Sequence, residues 1–364
     1  MTSKERVRRA VRFEGPDRVP YMWSALPGAV VRHGEALEEI LREYPDDFGV
    51  GGPEWPGFAN FQMPPRYEPG LWTEPGWNVI WRQEARGMVG HPVGCPLENW
   101  EALADYEFPR VDPEEIAATA ATLRPSMGFD GMGSWQPGVE PVARPVLPDW
   151  YVMPGGGTLY ERLQQLRGFE NLLMDLATDD PRLYDLRDRV ADYWRDYVAV
   201  WARQEIMDCY AWFDDWGTQQ ALMIRPEKWR QFFKPAYDRI FAPLRAADKD
   251  IHFHSDGFVR DIIPDLIEIG VKIVWVQVFM MGIEQFGRDF RGKVCVRTDL
   301  DRQHVLPHGT PAEVRDHVRQ AVENLALPEG GLILHAEIGP DVPLENIRAL
   351  AEAYVEYGAL YGSG

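Results

Sequence analysis

From about residue 161 to its end the chain alternates two patterns. Stretches with apolar residues three and four apart predict helices, and short apolar runs bounded by polar residues predict buried strands. The predicted strands are Cys209 to Phe213, Ile251 to His254, Ile273 to Val278, Val294 to Arg297 and Leu332 to His335, with helices over Pro226 to Ala246, Val259 to Ile269, Pro311 to Leu325 and Pro343 to Tyr357. Before them, a helix capped by Thr2 or Ser3 carries Val7 and Val11 on one face, stops before Glu14-Gly15-Pro16-Asp17 and leads into a short strand, Arg18 to Met22. Gly49 to Gly94 is dense in Gly, Pro and Trp and predicts loops and short strands; helical spacing returns at Asn99 to Tyr106 and Pro113 to Leu123. Ser126 to Gly157, rich in Gly and Pro, reads as a long loop over the open end of the fold. Unbroken helix and strand alternation predicts an α/β fold with a parallel sheet, a (β/α)8 TIM barrel with an N-terminal extension and long loops over its mouth. No Gly-rich dinucleotide turn follows any strand, which sets aside a doubly wound open sheet.

Composition narrows the class. A chain of 364 residues, 45% hydrophobic and 12% aromatic, fits one barrel domain over residues 1–364. The net charge of −19 opposes binding to a phosphate backbone, so no nucleic-acid partner is expected. No stretch of about 18 apolar residues occurs and MTSKERVRR lacks an apolar signal core, so a cytoplasmic protein without a membrane partner is expected. Cys95, Cys209 and Cys295 are scattered and odd in number, which supports neither a disulfide framework nor a CxxC metal knuckle. A homodimer is compatible with the barrel's helical exterior.

The polar residues carry the chemistry. Each late strand is apolar along its length and ends in residues able to react: Asp214 and Asp215, His254 and Asp256, Gln277, Arg297 with Asp299 and Asp301, and His335 with Glu337. In a barrel these ends converge on one face, where barrel active sites are built. His254 and Asp256 in IHFHSDG point to one side, and Glu337 ends the last strand, so the three suit a three-ligand catalytic metal site; a metal-free, hydrogen-bonded constellation is the alternative. His252 is assigned to the opposite face as a structural residue. Asp214 and Asp215 are candidates for general base or substrate orientation, with a helix N-cap as the structural alternative for one of them. Asp299 and Asp301 are further acid or base candidates, while Trp216, Gln277, Arg297 and His335 are candidate substrate contacts. Trp212, Trp216 and Trp275 suit either an aromatic substrate wall or the core.

The segments SKERVRRAVRFEGPDRVPY, FDDWGTQQALMIRPEKWRQFFKP, FHSDG, DRQHVLPHGTPAEVRDHV and GPDVPLENIRAL resemble, in order, the uroporphyrinogen decarboxylase superfamily. That resemblance implies a TIM-barrel enzyme related to uroporphyrinogen decarboxylases and to zinc-dependent methyl- and alkyltransferases that work with corrinoid proteins and thiols. The decarboxylases carry an early Arg-rich motif where this chain reads VPYMWSALPGAVV, so a polycarboxylate tetrapyrrole is disfavoured. The zinc enzymes carry His-x-Cys and a later Cys; here His254 matches, Asp256 replaces the first cysteine, and Ala336-Glu337 stands near the second. By position the resemblance places a metal at His254, Asp256 and Glu337. The resemblance implies zinc first; because carboxylates are harder than thiolates, manganese or iron is also admitted. The leading expectation is a metal-dependent methyl transfer from oxygen of a small molecule, with a corrinoid protein as methyl acceptor. The alternatives are a decarboxylase or lyase using Arg297 as a carboxylate anchor, and a ligand-binding barrel without catalysis.

Overall fold

In the computed structural model, residues 1–59, 61, 63–123 and 149–361 are described. Strands form where the apolar runs lie. In chain order they are β1 (Tyr21–Ala25), β2 (Gly70–Thr73), β3 (Ile80–Gln83), β4 (His91–Gly94), β5 (Cys209–Phe213), β6 (Asp250–Ser255), β7 (Ile273–Val276), β8 (Cys295–Thr298) and β9 (Leu332–Ile338). Six of them build one parallel sheet in the order β1-β9-β8-β7-β6-β5, and β2, β3 and β4 form a small antiparallel sheet. The parallel sheet curls into half a barrel, with helices joining its successive strands.

A turn at residues 46–48 and an irregular stretch at 151–157 lie between its edges. The Asp47 amide donates to Tyr21 O (3.2 Å) beside β1, and the Tyr151 amide donates to Asp47 O (3.3 Å). Residues 154–157 then follow β5: Ala211 N–H bonds Pro154 O (2.9 Å), Gly156 N–H bonds Ala211 O (3.0 Å) and Phe213 N–H bonds Gly157 O (3.3 Å). Pro154 has no N–H to give, which helps keep this stretch from a regular ladder. Residues 151–157 therefore line the wall instead of covering the mouth; residues 126–148 of the expected lid lie outside the described residues.

Side-chain parity divides the core in two, as a period of two along each strand requires. One set, including Tyr210 and Trp212, Ile251 and Phe253, Val274 and Val276, and Leu332, Leu334 and Ala336, packs outward in the main core with helix residues such as Val190, Phe241 and Leu350. The other includes Met22, Cys209, Ile273, Cys295 and Ile333, closed from below by Val7 and Val11 of the first helix, Ser3–Arg12. Thr2 caps that helix by accepting from Glu5 N–H (3.2 Å). The buried Asp47 ties it to the sheet, accepting from Arg6 (2.7 Å), Arg18 (2.8 Å) and the Tyr21 amide (3.1 Å).

Several boundaries differ from expectation for visible reasons. The expected strand at Arg18 to Met22 is displaced to Tyr21–Ala25. Pro235 and Pro264 mark new helix starts: Pro226 to Ala246 is two helices, Pro226–Phe232 and Lys234–Ala246, and Val259 to Ile269 is a short 3-10 turn followed by Ile263–Glu268. His252 is not on the face opposite His254: residues two apart on a strand share a face, and both rings meet Trp275, at 6.1 and 3.8 Å between centroids.

Candidate metal centre and active site

The loops leaving β5 and β6 are locked together before any side chain is considered. Gly217 N–H donates to Asp256 O (3.0 Å) and Phe258 N–H to Thr218 O (2.8 Å). A Cβ on Gly217 would stand 2.4 Å from Gly257 C, and Gly257 itself has φ +81°, so both glycines are required by this approach. Gln277, at the end of β7, accepts from Gly257 N–H (2.9 Å) and fixes the same turn. Asp215 and Asp256 are thereby set side by side, with Asp215 Oδ1 accepting from the Asp256 amide (2.8 Å).

His254 completes the group. Its Nε2 lies 3.6 Å from Asp215 Oδ1 and 3.6 Å from Asp256 Oδ1, and one donor atom from each of the three residues fits within 4.8 Å of the others. The other ring nitrogen, Nδ1, lies 3.1 Å from Trp275 O. A carbonyl only accepts, so Nδ1 carries a proton, and Nε2 is the ring atom left facing the two carboxylates and free to bind an ion between them. An imidazole nitrogen and two carboxylate oxygens converging on one point are a donor set that a cation between them would satisfy. Asp256 Oδ1 is buried and has no hydrogen-bond partner. Ligands held at about 2.1 Å in a tetrahedron stand roughly 3.4 Å apart, so 3.6 Å is close to the spacing of ligands. An oxygen, oxygen, nitrogen donor set with a backbone-anchored histidine fits a divalent ion such as Zn, Mn or Fe.

Glu337 is not in this group. Its Oε1 accepts from Arg302 Nη1 (2.8 Å), while Arg302 Nη2 binds Asp256 Oδ2 and Arg302 Nε lies 3.6 Å from Asp299 Oδ2. Burial alone would lower the Arg302 pKa, but Asp299, Asp256 and Glu337 outweigh it and hold it above its ordinary value. Asp215, by contrast, joins the three-residue group as well as being the candidate acid or base expected from sequence. Its pKa is raised by loss of solvent and by Asp256, against His254.

Other sequence candidates are placed in supporting positions. Asp214 has the parity of Tyr210 and Trp212 and faces outward, fully buried, where its carboxylate accepts from the Leu159, Tyr160 and Glu161 amides (2.6, 3.0 and 2.9 Å) and from Tyr237 OH (2.6 Å). It anchors the start of the helix Tyr160–Arg167. Trp216 is fully buried against Tyr160, with centroids 4.0 Å apart, and donates to Tyr237 OH (3.0 Å), so the structure keeps it from a substrate. Asp301 Oδ1 accepts from the Gln303 and His304 amides (2.9 and 2.8 Å) and shapes a turn.

Arg297 and His335 lie within the barrel, not at its mouth. Arg297 is 2% exposed, donates to His335 Nε2 (2.8 Å), has Nη1 3.5 Å from His252 Nε2, and stacks its guanidinium 3.8 Å from the centre of the Trp275 ring. Burial, with Arg297 adding to it, drives both histidines well below their ordinary pKa, so they serve as neutral acceptors. Covered this way, Arg297 is not placed to grip a substrate carboxylate.

Two residues of the candidate site escape the sequence reading. Arg302 lies in the loop beyond β8 and links the carboxyl groups of Asp256, Asp299 and Glu337. Glu161 opens the helix anchored by Asp214; burial first, then Asp215, Asp214 and Asp256, raise its pKa well above its ordinary value. The available signal for Glu161 was the Asp214 cap, which implies a helix start nearby in space but not in sequence.

Asp299 is held protonated, pushed up to about 8 by burial, with Glu337 and Asp256 adding and Arg302 and Arg297 opposing. From the unfolded value near 3.8 up to about 8 the folded chain keeps a proton that the unfolded chain has lost, so this group makes stability fall as pH rises through that window and adds no slope above it. Asp299→Asn removes the titration. Its urea midpoint is expected to gain on the wild type steadily from pH 5 to pH 8 and hold a constant lead above; a pH-independent difference would refute the assignment.

A family model described as uroporphyrinogen decarboxylase (URO-D) matches residues 158–357, more than half of the chain and the whole of the site from Glu161 to Glu337. The chain belongs to the uroporphyrinogen decarboxylase family. No curated protein matches the sequence. Among solved structures, a methyltransferase from Methanosarcina mazei superposes with a TM-score of 0.65 at 15% identity, over 98% of this chain and 99% of that one. That likeness establishes a shared fold. A B12-independent methionine synthase from Shewanella sp. W3-18-1, in complex with selenomethionine, matches at 12% identity over 58% of this chain and 62% of its own, with a TM-score of 0.40. The family thus supplies an enzyme scaffold, and the residues at its mouth must supply the chemistry. Among the described residues no helix is long and apolar enough to cross a membrane.

Proposed function

We propose that this family member is a metal-dependent methyltransferase that removes a methyl group from oxygen of a small molecule, on one (β/α)8 barrel whose missing staves are replaced by the turn at 46–48 and the segment 151–157. The observation that carries the reading is His254, whose Nδ1 is tied to a backbone carbonyl while Nε2 faces two carboxylates. Asp215, His254 and Asp256 would hold the ion, in place of the His254, Asp256 and Glu337 set expected from sequence. A divalent cation there would act as a Lewis acid on the substrate oxygen that leaves.

The remaining residues divide the work. Glu161, at the start of the helix that Asp214 anchors, is the acid assigned to give the oxygen its proton as the methyl carbon to oxygen bond breaks and the electron pair stays on oxygen. Arg302 balances part of the negative charge, and Gln277 with the paired glycines holds the loops that carry the ligands. The methyl acceptor is a reduced corrinoid carried by a partner protein, as the sequence resemblance implies. The lyase alternative loses its anchor, because Arg297 is sealed under Trp275.

The test incubates metal-loaded protein with methoxylated small molecules and chemically reduced cobalamin, following methylcobalamin by its visible spectrum. Methylcobalamin that forms with the loaded protein and not after chelation supports the reading. Turnover of methoxylated carboxylic acids among them without any methyl acceptor, with loss of the carboxyl group as carbon dioxide and the methoxyl retained, would overturn it.

A further inference from the structure

The cysteine-bearing relatives suggested position 337 as a ligand, yet here Glu337 points its charge at an arginine. That arginine connects two groups of residues. Arg302 joins Glu337 at the end of β9 to Asp256 beyond β6, and its Nε lies toward Asp299 beyond β8. It spans three strand ends of one wall. Asp256 divides its two oxygens: Oδ2 takes Arg302, and Oδ1, buried and unpartnered, lies 3.6 Å from His254 Nε2. A carboxylate can rotate about its last bond, so what fixes Oδ1 toward His254 is the grip on Oδ2.

We propose that Glu337 and Arg302 form a single positioning unit, in which Glu337 orients Arg302 and Arg302 orients Asp256, so that Glu337 acts on the metal centre only through the arginine. The inference rests on the metal-site reading above. A guanidinium suits the task because its planar fork reaches two carboxylates at once and stays charged, whereas an ammonium serves one site at a time. Outer partners of this kind change metal affinity by about 10- to 100-fold when removed. Neither residue is a catalytic residue in this account: they set the geometry of the group that would hold the ion.

The relation is tested by a double-mutant cycle on the full chain, with Co(II) as probe. Affinity is measured by competition with a chelator, and coordination by the visible absorption of the bound ion. Arg302→Gln is expected to weaken Co(II) binding by about 10- to 100-fold and to alter the spectrum, with Glu337→Gln weakening it less. Because one acts through the other, the double variant should bind no more weakly than Arg302→Gln, within about 2-fold, and show the same spectrum. Should the two factors multiply, or should Glu337→Gln change the spectrum in the Arg302→Gln background, Glu337 is a ligand and the proposal falls. If Arg302→Gln leaves too much uncompensated charge to fold, Arg302→Lys replaces it, with the same non-additivity expected. Absence of Co(II) binding in the wild type would instead defeat the metal-site reading itself, which separates the two failures.

Discussion

His254→Ala is expected to lower divalent-metal affinity by more than the roughly 100-fold that an outer partner controls, and to abolish metal-dependent methyl transfer. The imidazole supplies the one nitrogen of the group, and its loss leaves Asp215 and Asp256 facing each other with no neutral ligand between them. The fold should survive, because the ring lies at the upper end of the barrel interior and its hydrogen bond is to a single carbonyl, Trp275 O. Asp301→Asn is the matched control: it stands on the same face of the barrel, shapes a turn, and should bind metal as the wild type does. Chelator competition on the two variants checks the contrast. Equal affinity in His254→Ala and the wild type would remove His254 from the centre.

Asp214→Ala should give the largest loss of stability. The carboxylate is fully buried and accepts three backbone amides at a helix start together with the Tyr237 hydroxyl. Each buried donor left without a partner costs about 1–3 kcal/mol, so a loss of about 3–5 kcal/mol is expected after partial relaxation. Burial raises the Asp214 pKa to about 6, even though these hydrogen bonds oppose the rise, so part of its charge must be carried inside the fold at neutral pH. Asp214→Asn keeps the shape with one acceptor oxygen and should fall between the wild type and alanine. Urea unfolding at pH 7 measures the series. A change under about 1 kcal/mol in Asp214→Ala would mean that the helix Tyr160–Arg167 does not depend on this cap.

What the sequence made legible follows from periodicity. Buried parallel strands are continuous apolar runs, so β5 to β9 and the helices Pro311–Leu325 and Leu344–Gly358 stood out, with ends shifted by a few residues. The convergence of Asp215, His254, Asp256, Gln277, Asp299 and Glu337 on one face was legible too, since all follow apolar runs. Parity misled where it was not followed through. The spacing leaves open which of Asp214 and Asp215 enters the site and which caps a helix, although adjacent residues face opposite ways on a strand end, and the sequence reading assigns His252 and His254 to opposite faces although residues two apart share one. Arg297 and His335 carry the polarity of site residues but sit a layer deeper, and depth within a barrel is not written in the spacing of one strand. The helix Pro27–Glu43 was not evident because Gly34 breaks it, with φ +49° and ψ −127°. The small sheet of β2, β3 and β4 was expected only as short strands, and the segments at 46–48 and 151–157 pair through a few bonds that no local pattern announces. Arg302 was hidden for the same reason as the Glu161 side chain: each gains its meaning from charges brought to it by other strands.

The most direct test is the metal content of the purified protein after growth with added Zn, Mn and Fe, read by inductively coupled plasma mass spectrometry for the wild type, Asp215→Asn and Glu337→Gln. The account predicts near one divalent ion per wild-type chain, its loss in Asp215→Asn, and its retention with weaker binding in Glu337→Gln. A wild type without metal under all three supplements, or an ion lost from Glu337→Gln but kept by Asp215→Asn, would contradict it.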